Sequence, residues 1–244
     1  MTQGLLFDYG GTIDTNGLHW GSVLWAQYEK NHVPVSKADF SKAYAFGERA
    51  LAINPLVKPE HNFYDVLCLK TEQQFNFLEE NGFSLDRNLI ETIATDSNAF
   101  ARCTIEKALP TLEMLVEKYP LVMVSNFYGN LNSVLKDFGI RSYFKELVES
   151  AVVGVRKPDA AIYQLGVEAL NIPAENCIVI GDSYSKDIVP AHSIGCKTIW
   201  LNVQGWEDTT KSEDNISVAD SEITDFKEVT KQIELLFSSQ RQLN

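Results

Sequence analysis

No apolar run in this 244-residue chain approaches the roughly 20 residues needed to cross a bilayer. No basic stretch precedes an apolar segment at the N-terminus, so a secretory leader is not expected there. Basic residues are scarce, 21 Lys and Arg against 33 Asp and Glu, for a net charge of −12. That balance disfavours nucleic acid and anionic membrane as partners, because both need a basic footprint. The four cysteines (Cys68, Cys103, Cys177 and Cys196) are far apart, and none forms a Cys-x-x-Cys pair. They are expected to be buried reduced thiols in a cytoplasmic protein without a zinc site. No internal repeat or low-complexity tract is visible, and no G-x-G-x-x-G follows the first apolar run.

What is present is an alternation of periods. Leu5, Leu6 and Phe7 form a short apolar run that stops at Asp8. From about residue 109 helices and strands take turns. Leu112, Leu115, Val116 and Tyr119 make a helical stripe, with Pro110 expected at its start. "LVMV" (121–124) is a strand ending in Ser125-Asn126, and Leu131, Val134, Leu135 and Phe138 repeat the stripe up to Gly139. "IVI" (178–180) runs into Gly181-Asp182, and "TIWL" (198–201) is the next strand. This order predicts an α/β fold with a doubly wound parallel sheet. Residues 16–104 break the rhythm with helical stripes and no convincing strand, as an inserted helical cap would. Ser36 and Asp39 give a capping pattern ahead of one of its helices. Residues 1–15 and 105–244 are then the α/β core. The polar tail, including "TTKSEDN" (209–215), leads to a last helix in "DFKEVTKQIELLF".

The informative polar residues stand at strand ends. Asp8, Ser125 and Asp182 each lie at or just beyond the carboxyl end of a predicted strand, where open α/β sheets bind ligands. Lys157, in "VRKPDAAIY", supplies a positive charge able to neutralise Asp8 or hold an anion. In "VIGDSYSKD", Asp182 and Asp187 are five residues apart. Several carboxylates in one place repel one another unless a divalent cation joins them. Mg²⁺ suits them, being an ion of oxygen ligands that commonly uses one or two carboxylates.

Taken in order, "FDYGGTIDT", "VMVSN", "VRKPDAAIY" and "VIGDSYSKD" resemble the four motifs of the haloacid dehalogenase-like (HAD) superfamily, with a helical cap after the first. The resemblance implies a Rossmann-like core and an Mg²⁺-dependent phosphatase acting on a small phosphorylated or other anionic substrate. It implies Asp8 as a nucleophile that forms an aspartyl-phosphate, with Lys157 assisting. Thr12, Ser125, Asn126 and Lys157 would bind the phosphoryl group. Asp8, the Gly10 carbonyl, Asp182 and Asp187 would hold the metal. The expected assembly is a monomer or a homodimer.

Gly10 stands where most phosphatases of that family carry a second Asp, which protonates the leaving oxygen. Such assistance is typically worth roughly 10²–10⁴-fold in rate. Asp14, Glu48 and His19 are the nearby candidates for replacing it. Other readings are a weak or inactive phosphate-binding protein, a phosphonatase using a cap lysine (Lys42 in "FSKAYAF"), and a metal-free 2-haloacid dehalogenase. Thr15, Asn16 and Gly17 are expected to lead into the cap and residues about 102–108 to lead out. Gly47, Glu48 and Arg49 are the candidates to meet the substrate, with Arg49 able to pair a second anionic group.

Overall fold

The computed structural model describes residues 2–203 and 217–241, so the polar run at 209–215 lies outside the described residues. The N-terminal apolar run forms β1 (Gly4–Phe7), and its Leu5, Leu6 and Phe7 are fully buried. Parallel strands covered on both faces read as continuous apolar runs, and β1 is such a strand. Four helices follow without a strand: α1 (Trp20–Lys30), α2 (Lys37–Ile53), α3 (Phe63–Glu80) and α4 (Leu89–Val116). The chain then runs through β2 (Leu121–Ser125), α5 (Leu131–Asp137), β3 (Glu146–Glu149), α6 (Ser150–Val153), α7 (Ala161–Leu170) and β4 (Cys177–Gly181). A π-helical turn at Tyr184–Ile188 passes into α8 (Val189–Ser193), before β5 (Lys197–Leu201), β6 (Ser221–Ile223) and α9 (Val229–Arg241).

All strands pair in parallel, in the order β3-β2-β1-β4-β5-β6. The chain winds outward from β1 through β2 to β3, then returns to pair β4 on the other side of β1. The crevice between the carboxyl ends of β1 and β4 is therefore the topological switch point, where ligands bind in such sheets. Side chains alternate across the sheet as the two-residue strand period requires. Leu5 and Phe7 join the larger core with Ile105, Ile233 and Phe237 from α4 and α9. Leu6 faces the smaller core with Ile162, Tyr163 and Val167 from α7. Gly166 brings α7 down onto the sheet, since a Cβ there would lie 2.5 Å from Leu6 Cδ2 and 2.8 Å from Val124 Cγ2.

One helix of the inserted segment is capped as its sequence predicts, and a second is capped by residues the sequence reading did not name. Ser36 Oγ accepts the Asp39 amide of α2 at 3.2 Å, and Asn62 with Asp65 completes a capping box on α3. Two expectations are corrected. Pro110 lies inside α4 instead of starting a helix, so residues 102–108 are mid-helix and position 104/105 carries no loop. An interior proline costs roughly 3 kcal/mol. Here the buried stripe of Ala94, Ser97, Ala101, Ile105, Ala108, Leu112 and Leu115 runs unbroken past it and holds the rod together. The cysteines are all free thiols, but only Cys177 and Cys196 are buried: Cys68 is half-buried and Cys103 is exposed on α4, outside that stripe.

Candidate active site

Three carboxylates gather at the switch point. The end of β1 places Asp8, the end of β4 places Asp182, and the π-helical turn returns Asp187 to the same place. One carboxylate oxygen from each lies within 4.8 Å of the others. Two glycines make this approach feasible. A Cβ at Gly181 would sit 2.5 Å from Asp187 Cβ, and one at Gly11, whose φ is +96°, would run into the Asp182 carboxylate.

Lys157 is the charged partner of Asp8. Its Nζ donates to Asp8 Oδ1 and to Asp187 Oδ1, each at 2.7 Å, with the ammonium buried. Ser125 Oγ donates to the same Asp8 oxygen at 3.1 Å. Thr12 Oγ1 donates to Asp182 Oδ1 at 3.0 Å. Asn126 is turned to Lys157: its Nδ2 donates to the Lys157 carbonyl at 3.1 Å and its Oδ1 accepts the Lys157 amide at 2.9 Å. That two-point clamp fixes the main chain from which the ammonium projects. Asp187 is saturated with donors, taking Tyr163 Oη at 2.8 Å and the Ser183 amide at 2.9 Å besides Lys157.

The electrostatics are unbalanced. Three carboxylates against one ammonium leave two negative charges in excess. Burial pushes the Asp8 carboxyl up, the Lys157 ammonium pulls it down, and Asp187 adds to the rise. Asp182 is pushed well up, by burial and then by Asp187 and Asp8. Burial alone would lower Lys157, but Asp187 and Asp8 outweigh it and hold the ammonium charged. An all-oxygen donor set, buried at Asp8 and Asp187 and half-buried at Asp182, with three carboxylates against one ammonium, fits a divalent hard cation. Asp182, with a single side-chain donor, is the carboxylate readiest to take it.

Candidates for replacing the second acid are each engaged elsewhere. Asp14 accepts the Gly11 amide at 2.7 Å and Trp20 Nε1 at 2.9 Å. His19 Nδ1 caps α1 by accepting the Gly21 amide at 3.0 Å. Glu48 Oε2 accepts from Tyr128 Oη at 2.8 Å, and its other oxygen faces Lys70. At Gly10 a Cβ would meet nothing within 4 Å, so the position is open space. Lys42 is a surface residue paired with Asp39 at 3.3 Å, which removes it as a Schiff-base lysine. Arg49 is exposed on α2, whereas Glu48 reaches the core. The sequence reading did not single out Tyr163, Tyr128 or Lys70. Nothing in the local pattern of those helices and loops marks a phenol or an ammonium that reaches across the fold.

A family model described as haloacid dehalogenase-like hydrolase matches residues 2–195. The chain belongs to that family. Among curated HAD relatives, haloacid dehalogenase-like hydrolase domain-containing protein 3 of Danio rerio is 35% identical over 80 residues, 33% of this chain and 33% of that protein. The 5-amino-6-(5-phospho-D-ribitylamino)uracil phosphatase YigB of Escherichia coli is 33% identical over 91 residues, 37% of each chain. The chain thus matches only about a third of the length of these relatives. Among solved structures, the HAD-hydrolase YfnB of Bacillus subtilis, bound to magnesium, superposes with a TM-score of 0.57 at 21% identity over 96% of this chain and 100% of that one. A dehalogenase with an intermediate complex gives a TM-score of 0.64 at 17% identity over 95% and 97%. These structural likenesses show the HAD fold.

Proposed function

We propose that this HAD-family chain hydrolyses small phosphate monoesters in the presence of Mg²⁺, through a covalent phosphoryl group on Asp8. The observation that carries this reading is the buried contact of Lys157 with Asp8 inside a cluster of three carboxylates. A lone nucleophilic carboxylate would repel an anionic ester, and this arrangement offsets that repulsion. Asp8, Asp182 and the Gly10 carbonyl would hold the cation directly, with Asp187 close by. When bound, the cation supplies positive charge to the phosphoryl oxygens and lowers the repulsion between nucleophile and substrate.

Ser125 and Lys157 fix the Asp8 carboxylate, and the Asn126 clamp holds Lys157 in register with it. An oxygen of Asp8 attacks phosphorus, the ester P–O bond breaks, and the leaving oxygen departs with the bonding pair. Thr12, Ser125 and Lys157 donate to the phosphoryl oxygens. Water then attacks the aspartyl-phosphate and releases inorganic phosphate, regenerating Asp8. With no carboxylate at position 10, the leaving oxygen lacks a dedicated proton donor, so aryl esters are turned over faster than alkyl esters of similar size. We further divide the chain into a core of residues 1–15 and 105–244 and a cap of 16–104, the cap covering the site and excluding water.

A panel of phosphate monoesters assayed with and without Mg²⁺ tests this reading, together with Asp8→Asn. The expected result is metal-dependent release of phosphate that the substitution abolishes with the fold intact. Metal-independent turnover, or activity retained by the variant, rejects the assignment. Phosphate and Mg²⁺ binding with no turnover of any ester favours a binding protein.

A further inference from the structure

Glu149 ends β3 at the position that pairs in register with Ser125, the last residue of β2. Both are buried, and Ser125 is the hydroxyl donor to Asp8. The Glu149 carboxylate turns to the loop that leaves Ser125. Its Oε1 accepts the Gly129 amide at 2.5 Å, and both oxygens share the Leu131 amide at 3.3 Å. Gly129, at φ +97°, gives the loop the left-handed turn that lets neighbouring amides converge on one group. Burial pushes the carboxyl up, and the amides of Gly129, Leu131 and Asn130 pull it back.

The next residue, Ser150, takes a second hold on the same loop. Its Oγ accepts the Phe127 amide at 3.2 Å and donates to the Phe127 carbonyl at 3.3 Å. Between Ser125 and these anchors stands Asn126, whose side chain clamps the Lys157 main chain. The end of β3 therefore fixes the chain from Phe127 to Leu131. The two residues just before it set the donors on Asp8, Ser125 directly and Asn126 through Lys157. A neutral side chain can cap a helix start. A buried carboxylate costs more to desolvate, and what it adds is two strong acceptor oxygens for several amides of one loop.

The geometry points to Glu149 as a positioning residue for the phosphoryl half of the site: with Ser150 it holds the loop after β2 so that Ser125 and the Asn126 clamp on Lys157 stay in register with Asp8. The inference rests on the phosphatase reading above and extends its machinery to a residue outside the bond-breaking step. Asp182 and Asp187 are carried by β4 and the turn beyond it, so a fault in this loop falls on phosphate and spares the metal.

The experiment compares the wild type with Glu149→Gln, Ser150→Ala and Ser36→Ala. It measures kcat/KM for phenyl phosphate with saturating Mg²⁺, the affinities for inorganic phosphate and for Mg²⁺ by calorimetry, and the melting temperature. Glu149→Gln keeps the size of the side chain but turns an NH₂ group toward the amides. It should lower kcat/KM by about tenfold to hundredfold and weaken phosphate about tenfold, with Mg²⁺ affinity held within about twofold. Ser150→Ala should show the same selective pattern more weakly, and it serves if Glu149→Gln folds poorly. Ser36→Ala strips the α2 cap, and should lower melting while leaving kcat/KM and both affinities unchanged. A Glu149→Gln protein that melts lower with phosphate affinity and kcat/KM intact has lost a helix cap only, which overturns the inference. Equal weakening of phosphate and Mg²⁺ reports general loosening and overturns it as well. Either result leaves the phosphatase reading standing. A wild type that binds phosphate without turning over the ester removes that reading, and the phosphate affinities of the variants still decide the role of Glu149. A wild type that neither binds phosphate nor turns over the ester removes both.

Discussion

Asp14 carries a measurable cost of building the loop after β1. Its carboxylate is fully buried and serves as acceptor for the Gly11 amide and Trp20 Nε1. Burial nonetheless pushes its pKa from the ordinary 3.8 to about 7, the two donors resisting and the charge of Asp8 adding to the rise. Between these values the folded chain holds a proton that the unfolded chain has released. Stability contributed at this position therefore falls as pH rises through the window, and the loss is complete above about pH 7. At about 1.4 kcal/mol per pH unit, the whole excursion is about 4 kcal/mol. Asp14→Asn cannot titrate. It leaves one of the two donors without an acceptor, for a loss of roughly 1–3 kcal/mol at every pH. Urea unfolding of both proteins with chelator present, from about pH 4.5 to 7.5, should show the wild-type advantage shrinking by about 3 kcal/mol. A difference that stays constant within about 1 kcal/mol would refute the reasoning, because the burial cost would then be absent. Adding Mg²⁺ should shrink the effect, since a cation beside Asp8 removes part of the repulsion that raises Asp14.

Two other substitutions follow from the same geometry. Gly10→Asp places a carboxyl in open space beside the nucleophile, and alkyl-phosphate turnover should rise by roughly 10²–10⁴-fold; no gain in a variant with unchanged melting would count against the missing-acid account. Gly181→Ala sets a methyl 2.5 Å from Asp187 Cβ, which should displace Asp187 from Lys157, lower stability by roughly 1–3 kcal/mol and cut activity sharply. Wild-type stability and rate in that variant would show that the tight approach is dispensable.

The strands that carry the site were legible because they are buried on both faces and end in polar residues. β1, β2, β4 and β5 stand where their apolar runs predict. The edge strands were not, since four residues reading "ELVE" and three reading "SEI" show neither a continuous apolar run nor a clear alternation. Asp8, Ser125, Lys157 and Asp182 could be picked out by position, and they do converge. Tyr163 and Tyr128 could not, because their hydroxyls reach Asp187 and Glu48 only through the way separate elements pack. Pro110 misled for a related reason: local chemistry argues for a break, and burial along the whole of α4 overrides it.

The unbroken α4 also constrains how this protein can move. At 1.5 Å per residue its 28 residues form a rod about 42 Å long. One end packs among α1 and α3, and the helix also touches α9 beside the sheet. Arg102, part-way along, grips Asp137 at the end of α5 at 2.9 Å. The helix thus ties α1 and α3 to the sheet face on which α9 also packs. A substitution in that shared core beside α9 is therefore felt along a helix that also packs against α1 and α3.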